Sequence, residues 1–191
     1  MQPIITRVSN EDELIGIQEL QKDNLRKFIS EEEAKKEGFV TAEYSIELLK
    51  SMHESSPSII AKDGDKVVGY ALVSTKAIMG QHELLDDLFH VLDKLSFNGA
   101  SLSEKNAYVL VGQLCVGKEY RGMGLVQKMY HHFKGSLQDD FKYLITDVAA
   151  ENERSLKAHI RTGFQVIHTI DYGGIKWDIV LWDWNASMHH L

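Results

Sequence analysis

Residues 107–148 hold the feature that most limits how this chain can fold. AYVLVGQLCV (107–116) and FKYLITDV (141–148) are two apolar, β-rich runs, and between them Leu125, Met129, Phe133 and Leu137 step by four through a helix expected over 123–138. Two strands joined by a helix of that length pair parallel, and the crossover is right-handed. The strand over 107–116 is apolar nearly throughout, so it belongs inside a sheet covered on both faces.

The flanking sequence supplies hairpins and further helices. In SIIAKDGDKVVGYALVST (58–75) two β-rich runs flank Asp63-Gly64-Asp65, which predicts a β-hairpin. FQVIHTIDY (164–172) and IKWDIVLWDW (175–184) are two more strands, joined at Gly173-Gly174. PIITRV (3–8) reads as a short strand, and Asn10 as the cap of a helix over 11–26. A second helix lies near 44–53 and closes before Pro57, and the charged stretch 30–38 reads as a helical turn or a surface loop. Leu84, Leu85, Leu88, Val91, Leu92 and Leu95 give one apolar face to a helix over 80–96. Asn152 opens and Gly163 stops a helix over 152–162. The expected fold is α/β of mixed α+β character: a single domain over 1–191, with one mixed, mostly antiparallel sheet and helices on both faces.

Composition narrows the function classes. A chain of 191 residues with 43% hydrophobic and 26% charged residues is long and apolar enough for a packed core. No apolar run approaches the ~20 residues of a membrane span. A net charge of −7 disfavours nucleic acid as a partner. The N-terminus lacks the basic start and apolar stretch of a signal peptide, and the lone cysteine, Cys115, fits a reducing compartment, so the expected location is cytoplasmic. His131-His132 and His189-His190 have no metal-site companions in sequence, so no metal is expected.

Chemistry concentrates in CVGKEYRGMGLVQKMY (115–130), a glycine-rich turn between the first strand of the parallel unit and its helix. Consecutive amides at such a turn, with the positive end of a helix dipole behind them, suit a phosphate group. A nucleotide P-loop requires G-x-x-x-x-G-K-S/T, which is missing, and a dinucleotide fingerprint requires G-x-G-x-x-G, where Gln127 stands in place of the third glycine. An acyl-CoA pyrophosphate turn and a purely structural turn remain.

The residues here resemble the GNAT N-acetyltransferase superfamily. Its acyl-CoA turn runs Q/R-x-x-G-x-G/A after a strand, and Arg121, Gly122, Met123, Gly124, Leu125 and Val126 match it except at the last position. Its next strand and helix run E/D-V-x-x-x-N-x-x-A/S-x-x-x-Y-x-x-x-G-F, matched by Asp147, Val148, Asn152, Ser155, Gly163 and Phe164, with His159 where the tyrosine stands. The resemblance covers roughly residues 57–182, and residues 9–56 and 77–105 are less typical.

What the resemblance implies is specific. The fold would be GNAT-like, with the central parallel strands splayed apart. The co-substrate would be acetyl-CoA and the acceptor a primary amine of a small molecule or peptide. Leu114, Cys115 and Val116 would bind the pantetheine arm through their backbone, with the Val116 N–H as oxyanion donor. The amides of 121–126 would hold the pyrophosphate, where the Val126 side chain must point away. Arg121 would add charge or lie on the surface. Asn152, with Ser155 near it, would contact CoA or act as a helix cap. His159 would protonate the thiolate in the usual tyrosine's place, or be a structural histidine. Asp147 would be the general base, or a paired structural carboxylate. Gln113 would orient substrate or satisfy backbone groups, while His82, Glu43 and Tyr44 are outer candidates for substrate contact. Cys115 reads as core packing rather than a nucleophile. The helix over 80–96 would line the acceptor cleft or join two copies in a homodimer. A competing reading keeps the acyl-CoA site but not the chemistry, as a binding module, and a nicotinamide enzyme is disfavoured by the missing glycine.

Overall fold

The computed structural model describes residues 2–25, 30 and 40–185; the charged stretch over 31–38 and the histidine pair at 189–190 lie outside them. The elements in chain order are β1 (Ile4–Arg7), α1 (Glu11–Asp23), α2 (Ile46–Ser55), β2 (Ile59–Asp63), β3 (Lys66–Ser74), α3 (Glu83–Leu92), β4 (Ser96–Phe97), β5 (Ala100–Ser101), β6 (Tyr108–Val116), α4 (Leu125–Leu137), β7 (Tyr143–Ala149), α5 (Glu153–Thr162), β8 (Gln165–Tyr172) and β9 (Ile175–Asp183). Seven strands form one sheet in the order β1-β2-β3-β6-β7-β9-β8. Only β6 and β7 pair parallel; the other neighbours are antiparallel. Among the described residues no helix is long and apolar enough to cross a membrane.

Local chemistry explains the boundaries. Asn10 Oδ1 accepts from the Glu13 N–H at 3.1 Å, and the Glu13 carboxylate returns to the Ser9 N–H at 2.7 Å, so two donors at the start of α1 are satisfied reciprocally. α1 stops at Asp23 rather than running to 26, because the Asn24 N–H turns back to Gln21 O at 3.1 Å. Ser45 caps α2. α3 is shorter than the stretch over 80–96, and the small β4–β5 hairpin follows it. That hairpin turns on Asn98 and Gly99, at φ 50° and 81°, the backbone that an Asn-Gly dipeptide favours.

The sheet separates two apolar layers. On one face Leu14 and Ile17 of α1, Leu49 and Met52 of α2, and Leu88 and Phe89 of α3 pack on Tyr70, Leu110, Ile145 and Ile179. On the other face α4 sets Leu125, Met129, Phe133 and Leu137 against Val73, Val111, Leu144 and Val180. The four residues stepping along α4 are all buried, as their spacing predicts.

Gly163 ends α5 at φ +118°, and a Cβ there would sit 2.7 Å from Trp182 Nε1. Strain and clash act together, so Gly163→Ala is expected to destabilise the protein by about 1–3 kcal/mol in chemical denaturation. An unchanged midpoint would contradict this packing.

Candidate functional site

The site begins where the parallel pair comes apart. β6 and β7 are in register only from Tyr108↔Tyr143 to Leu110↔Ile145. Past that point Thr146 Oγ1 reaches across to Val111 O at 3.0 Å, and the strands diverge. On its other side β6 carries an extra residue: Val73 faces Val111 but Ala71 faces Leu114, so the bulge falls at Gly112–Gln113. A bulge bends and twists a strand locally, here away from β7. The Gly117 N–H is taken by Val68 O on β3, so by strand alternation the Val116 N–H faces the opened side.

A buried polar network holds the splay. Gln113 Oε1 accepts from Gln21 Nε2 at 2.8 Å and from the Tyr70 hydroxyl at 2.6 Å, while Gln113 Nε2 donates to Ala42 O at 2.9 Å. The Tyr44 N–H donates to Gln21 Oε1 and its hydroxyl to Gly112 O. Gln113 therefore satisfies backbone and side-chain groups, and it ties the segment before α2 over the end of β6.

A cavity of about 690 Å³ opens from the splay, and its wall includes Leu114, Cys115, Val116, Arg121, Gly122, Gly124, Leu125, Val126, Asn152, Ser155 and His159. Eleven of the twelve residues expected to hold the cofactor or the thiolate proton thus meet on one surface; Met123 is exposed beside it. Gly122 and Gly124 have φ of +80° and +73°, and a Cβ at either would meet nothing within 4 Å. They are glycines because of the backbone, and the turn they make opens onto the cavity. Gly124 is the N-cap of α4, so the helix's positive end points at the same space. Val126 lines the cavity while its side chain packs against the core beneath α4.

The charge on this wall runs against the charge of the chain. Arg121, Arg154 and Arg161 line the cavity, and among the described residues no carboxylate does. Arg121 is neither free in solvent nor only a charge: its Nε donates to Val116 O at 3.2 Å and its Nη2 to Asn24 Oδ1 at 2.7 Å, which pins the turn to the end of β6 and to α1. Asn152 caps α5 through Oδ1, which accepts from the Ser155 N–H at 3.1 Å, and the same side chain lines the cavity. The arrangement suits a polyanion with a slender arm: phosphates at the amide turn and arginines, and an arm beside the strand end. Cys115 is buried and its thiol is pushed up to about 12 by burial, so it stays protonated and un-nucleophilic.

A second recess of about 120 Å³ adjoins the first across the splay, sharing Leu114, Asn152, Ser155 and His159 with it. Asp147 lies on its wall, half-buried. Burial pushes its carboxyl up to about 6, opposed by its own backbone N–H. Tyr44 also lines this recess; Glu43 and His82 do not.

His159, expected either as a proton donor or as a structural histidine, lines both spaces with its two ring nitrogens already engaged. Its Nδ1 lies 2.7 Å from Ser155 O, a group that can only accept, so Nδ1 carries the ring proton. Nε2 then accepts from the Tyr130 hydroxyl at 2.6 Å. Burial lowers the imidazole pKa, against the Ser155 carbonyl, which raises it. The ring is neutral near pH 7 with both nitrogens engaged inside the protein, an arrangement suited to fixing α5 on Tyr130.

Several wall residues carried no warning in the sequence. Asn24 and Val40 approach from the N-terminal segments, and Tyr120 precedes the turn. Arg154 and Arg161 had a usable signal: seven residues apart on α5, they share a helix side with Ser155, Ala158 and His159.

The profile of the Acetyltransferase (GNAT) family matches residues 14–164. No curated protein matches the chain in sequence. Among solved structures it is similar to the ribosomal-protein-S18-alanine N-acetyltransferase from Escherichia coli, with a TM-score of 0.64 and 14% identity over 99% of this chain and 98% of that one. It is similar to yncA from Salmonella typhimurium, solved with its cofactor acetyl-CoA, with a TM-score of 0.63 and 14% identity over 98% and 97% of the two chains. It is also similar to the ribosomal-protein-alanine N-acetyltransferase from Brucella melitensis, with a TM-score of 0.62 and 15% identity over 94% and 99%. At these identities the likeness is one of fold.

Proposed function

The chain belongs to the acetyltransferase (GNAT) family, and from that premise we propose that it moves the acetyl group of acetyl-CoA onto a primary amine by direct attack. The observation that carries the proposal is the continuity of two unlike spaces across the β6–β7 splay. An arginine-lined cavity with an amide turn adjoins a recess holding a carboxylate of raised pKa.

The roles follow from position. The amides of 121–126 and Arg154 and Arg161 take the phosphates, while Leu114, Cys115 and Val116 align the pantetheine arm along the strand end. The Val116 N–H faces the thioester oxygen and stabilises the charge that develops there; one such donor is worth about 10²–10³ in kcat. Asp147, in the adjoining recess, takes the proton that the nitrogen sheds as the C–N bond forms, directly or through a water. Asn152 serves as cap and as a contact at once. His159 is a positioning residue: it holds α5 against α4, and the thiolate leaves without its help.

That last role has a separate test. His159→Phe strands the Tyr130 hydroxyl, so stability is expected to fall by about 1–3 kcal/mol, while kcat falls less than tenfold and the pH profile keeps its shape. A loss of 10²–10⁴ in kcat, the size of a proton-transfer contribution, would make His159 the acid instead.

The engaged imidazole also favours one second reading, a module that binds acyl-CoA without turning it over. Thiol release from acetyl-CoA with a panel of primary amines separates the two. The transferase releases thiol in proportion to amine acetylated, whereas the module binds CoA and releases none with any amine.

A further inference from the structure

Leu114 on β6, Asn152 at the cap of α5, and Ser155 and His159 on α5 line both the arginine-lined cavity and the recess of Asp147. They frame the boundary at which an acyl group arriving along the cavity meets an amine arriving through the recess. On the acetyl-transfer reading the thioester sulfur stops at that boundary, and charge collects on it there when the C–S bond breaks.

The three polar side chains at the boundary differ in what they have left to give. His159 has spent both ring nitrogens, Nδ1–H on Ser155 O at 2.7 Å and Nε2 on the Tyr130 hydroxyl at 2.6 Å. Asn152 Oδ1 is spent on the Ser155 N–H at 3.1 Å, and its NH2 group suits the amide carbonyls of a pantetheine arm, which are better acceptors than a thioester sulfur. Ser155 is half-buried, with its Oγ 3.5 Å from His159 Nδ1. That nitrogen carries its own proton and can only donate, so the Ser155 hydroxyl proton is not spent there. Nor does the hydroxyl turn back onto a helix carbonyl. Thr162, further along α5, bonds to Ala158 O at 2.9 Å, whereas among the described residues no acceptor takes the Ser155 proton. The Ser155 carbonyl meanwhile holds the His159 ring, so the residue is fixed through its backbone and keeps a donor on its side chain.

We propose that the Ser155 hydroxyl donates a hydrogen bond to the thioester sulfur as the C–S bond breaks, which makes Ser155 a catalytic residue of the transfer. The inference rests on the acetyl-transfer reading above. The amine lone pair forms the C–N bond, and charge gathers first on the acyl oxygen, which faces the Val116 N–H. The oxygen's pair then re-forms the C=O bond, the C–S bond breaks, and its electron pair stays on sulfur. The nitrogen's proton passes to Asp147. Ser155 keeps its own proton, because an alcohol is a far weaker acid than a thiol, and CoA departs as a thiolate that takes a proton from water. Val116 and Ser155 thus serve the two atoms on which charge appears in turn. A donor that meets an anion forming only in the transition state raises the rate without tightening ground-state binding.

The test compares the whole chain with Ser155→Ala, which removes the hydroxyl and leaves the α5 cap and both His159 bonds in place. The first readout needs no acceptor: bound CoA is titrated by the ultraviolet absorbance of its thiolate, against the same protein holding desulfo-CoA. Burial keeps the Cys115 thiol protonated to about 12, so it does not obscure the signal. The thiol of bound CoA is expected to ionise about one pH unit higher in Ser155→Ala, the worth of one hydrogen bond to a charged group. The second readout is the single-turnover rate of transfer to the amine that releases thiol fastest in the panel above. Ser155→Ala is expected to lower that rate about 10–100-fold with acetyl-CoA and less than about threefold with its selenoester analogue, whose selenolate leaves unaided. The denaturation midpoint is expected to stay where it was. An unchanged thiol pKa, an equal loss with the two donors, or a thiol shift in Asn152→Ala without one in Ser155→Ala would overturn the proposal and leave acetyl transfer standing. Wild-type protein that binds CoA and releases thiol with no amine would overturn both.

Discussion

Replacing Gly124 by aspartate is expected to weaken CoA binding by at least about 100-fold while the protein stays folded. The site tolerates the side chain sterically, since a Cβ there meets no atom within 4 Å. The φ of +73° is one that aspartate adopts more readily than most residues. What changes is the sign of charge at the amide turn. A carboxylate about 4 Å from a phosphate oxygen is unfavourable by on the order of 4 kcal/mol at the dielectric of a protein surface, and each 1.4 kcal/mol is a factor of ten in affinity. Gly135, on the exposed side of α4 with open space around its own Cβ, provides the control. Gly135→Asp adds the same charge away from the turn and should leave the Kd for CoA where it was. Titration calorimetry of the two variants reads the difference. Equal affinities would remove the turn from the binding site.

Asp147→Asn should separate activity from stability in opposite directions. As the base, Asp147 works only when ionised, so kcat/KM rises steeply with pH through about 6 and above it rises only as the acceptor amine loses its own proton. The asparagine variant loses about 10²–10³ in kcat/KM and loses that limb of the profile. A limb at higher pH, belonging to the acceptor amine, remains. Stability moves the other way. The folded carboxyl holds its proton more tightly than the unfolded one, near 3.8, because burial disfavours the charge. Its contribution to folding is therefore fully present below about pH 4 and is lost as pH rises through about 6. Above that pH the ionised carboxylate destabilises the fold, and asparagine removes the penalty. The variant is expected to be more stable at pH 8 by about 1–3 kcal/mol, from a shift of roughly two pH units at about 1.4 kcal/mol each with allowance for its partial exposure. The gain should vanish near pH 4. An inactive variant with no gain in stability would point to a structural carboxylate, and an active one would place the base elsewhere.

The fold was largely legible because its signals are local. The step of four along α4, the Asp63-Gly64-Asp65 turn, the Asn10 and Asn152 caps and the Gly163 stop each act within a few residues, and each stands where the spacing predicts it. The β4–β5 hairpin had a local signal too, in Asn98-Gly99, but two-residue strands are too short to show alternation. That the residues expected to hold the cofactor line one cavity has the same origin, since the glycine turn and the α5 residues lie within two short stretches of chain.

What escaped the sequence depends on distant pairings. Gln113 meets Gln21 across 92 residues, and Arg121 meets Asn24 across 97. His159 had a recognisable position, but the Tyr130 hydroxyl that occupies its Nε2 comes from 29 residues away. The periodicity of α3 gave its apolar face and not the surface that face meets. Only the fold brings Leu84 and Leu88 to one recess with Trp177.

A crystal structure of the protein with a non-hydrolysable thioether analogue of acetyl-CoA tests the account most directly. The pyrophosphate is expected on the amides of 121–126, the pantetheine arm along Leu114 to Val116 in the β6–β7 splay, the acyl oxygen within hydrogen-bonding distance of the Val116 N–H, and the acyl carbon facing the recess of Asp147. A pyrophosphate bound away from the glycine turn, or an acyl group pointing away from Asp147, would contradict it.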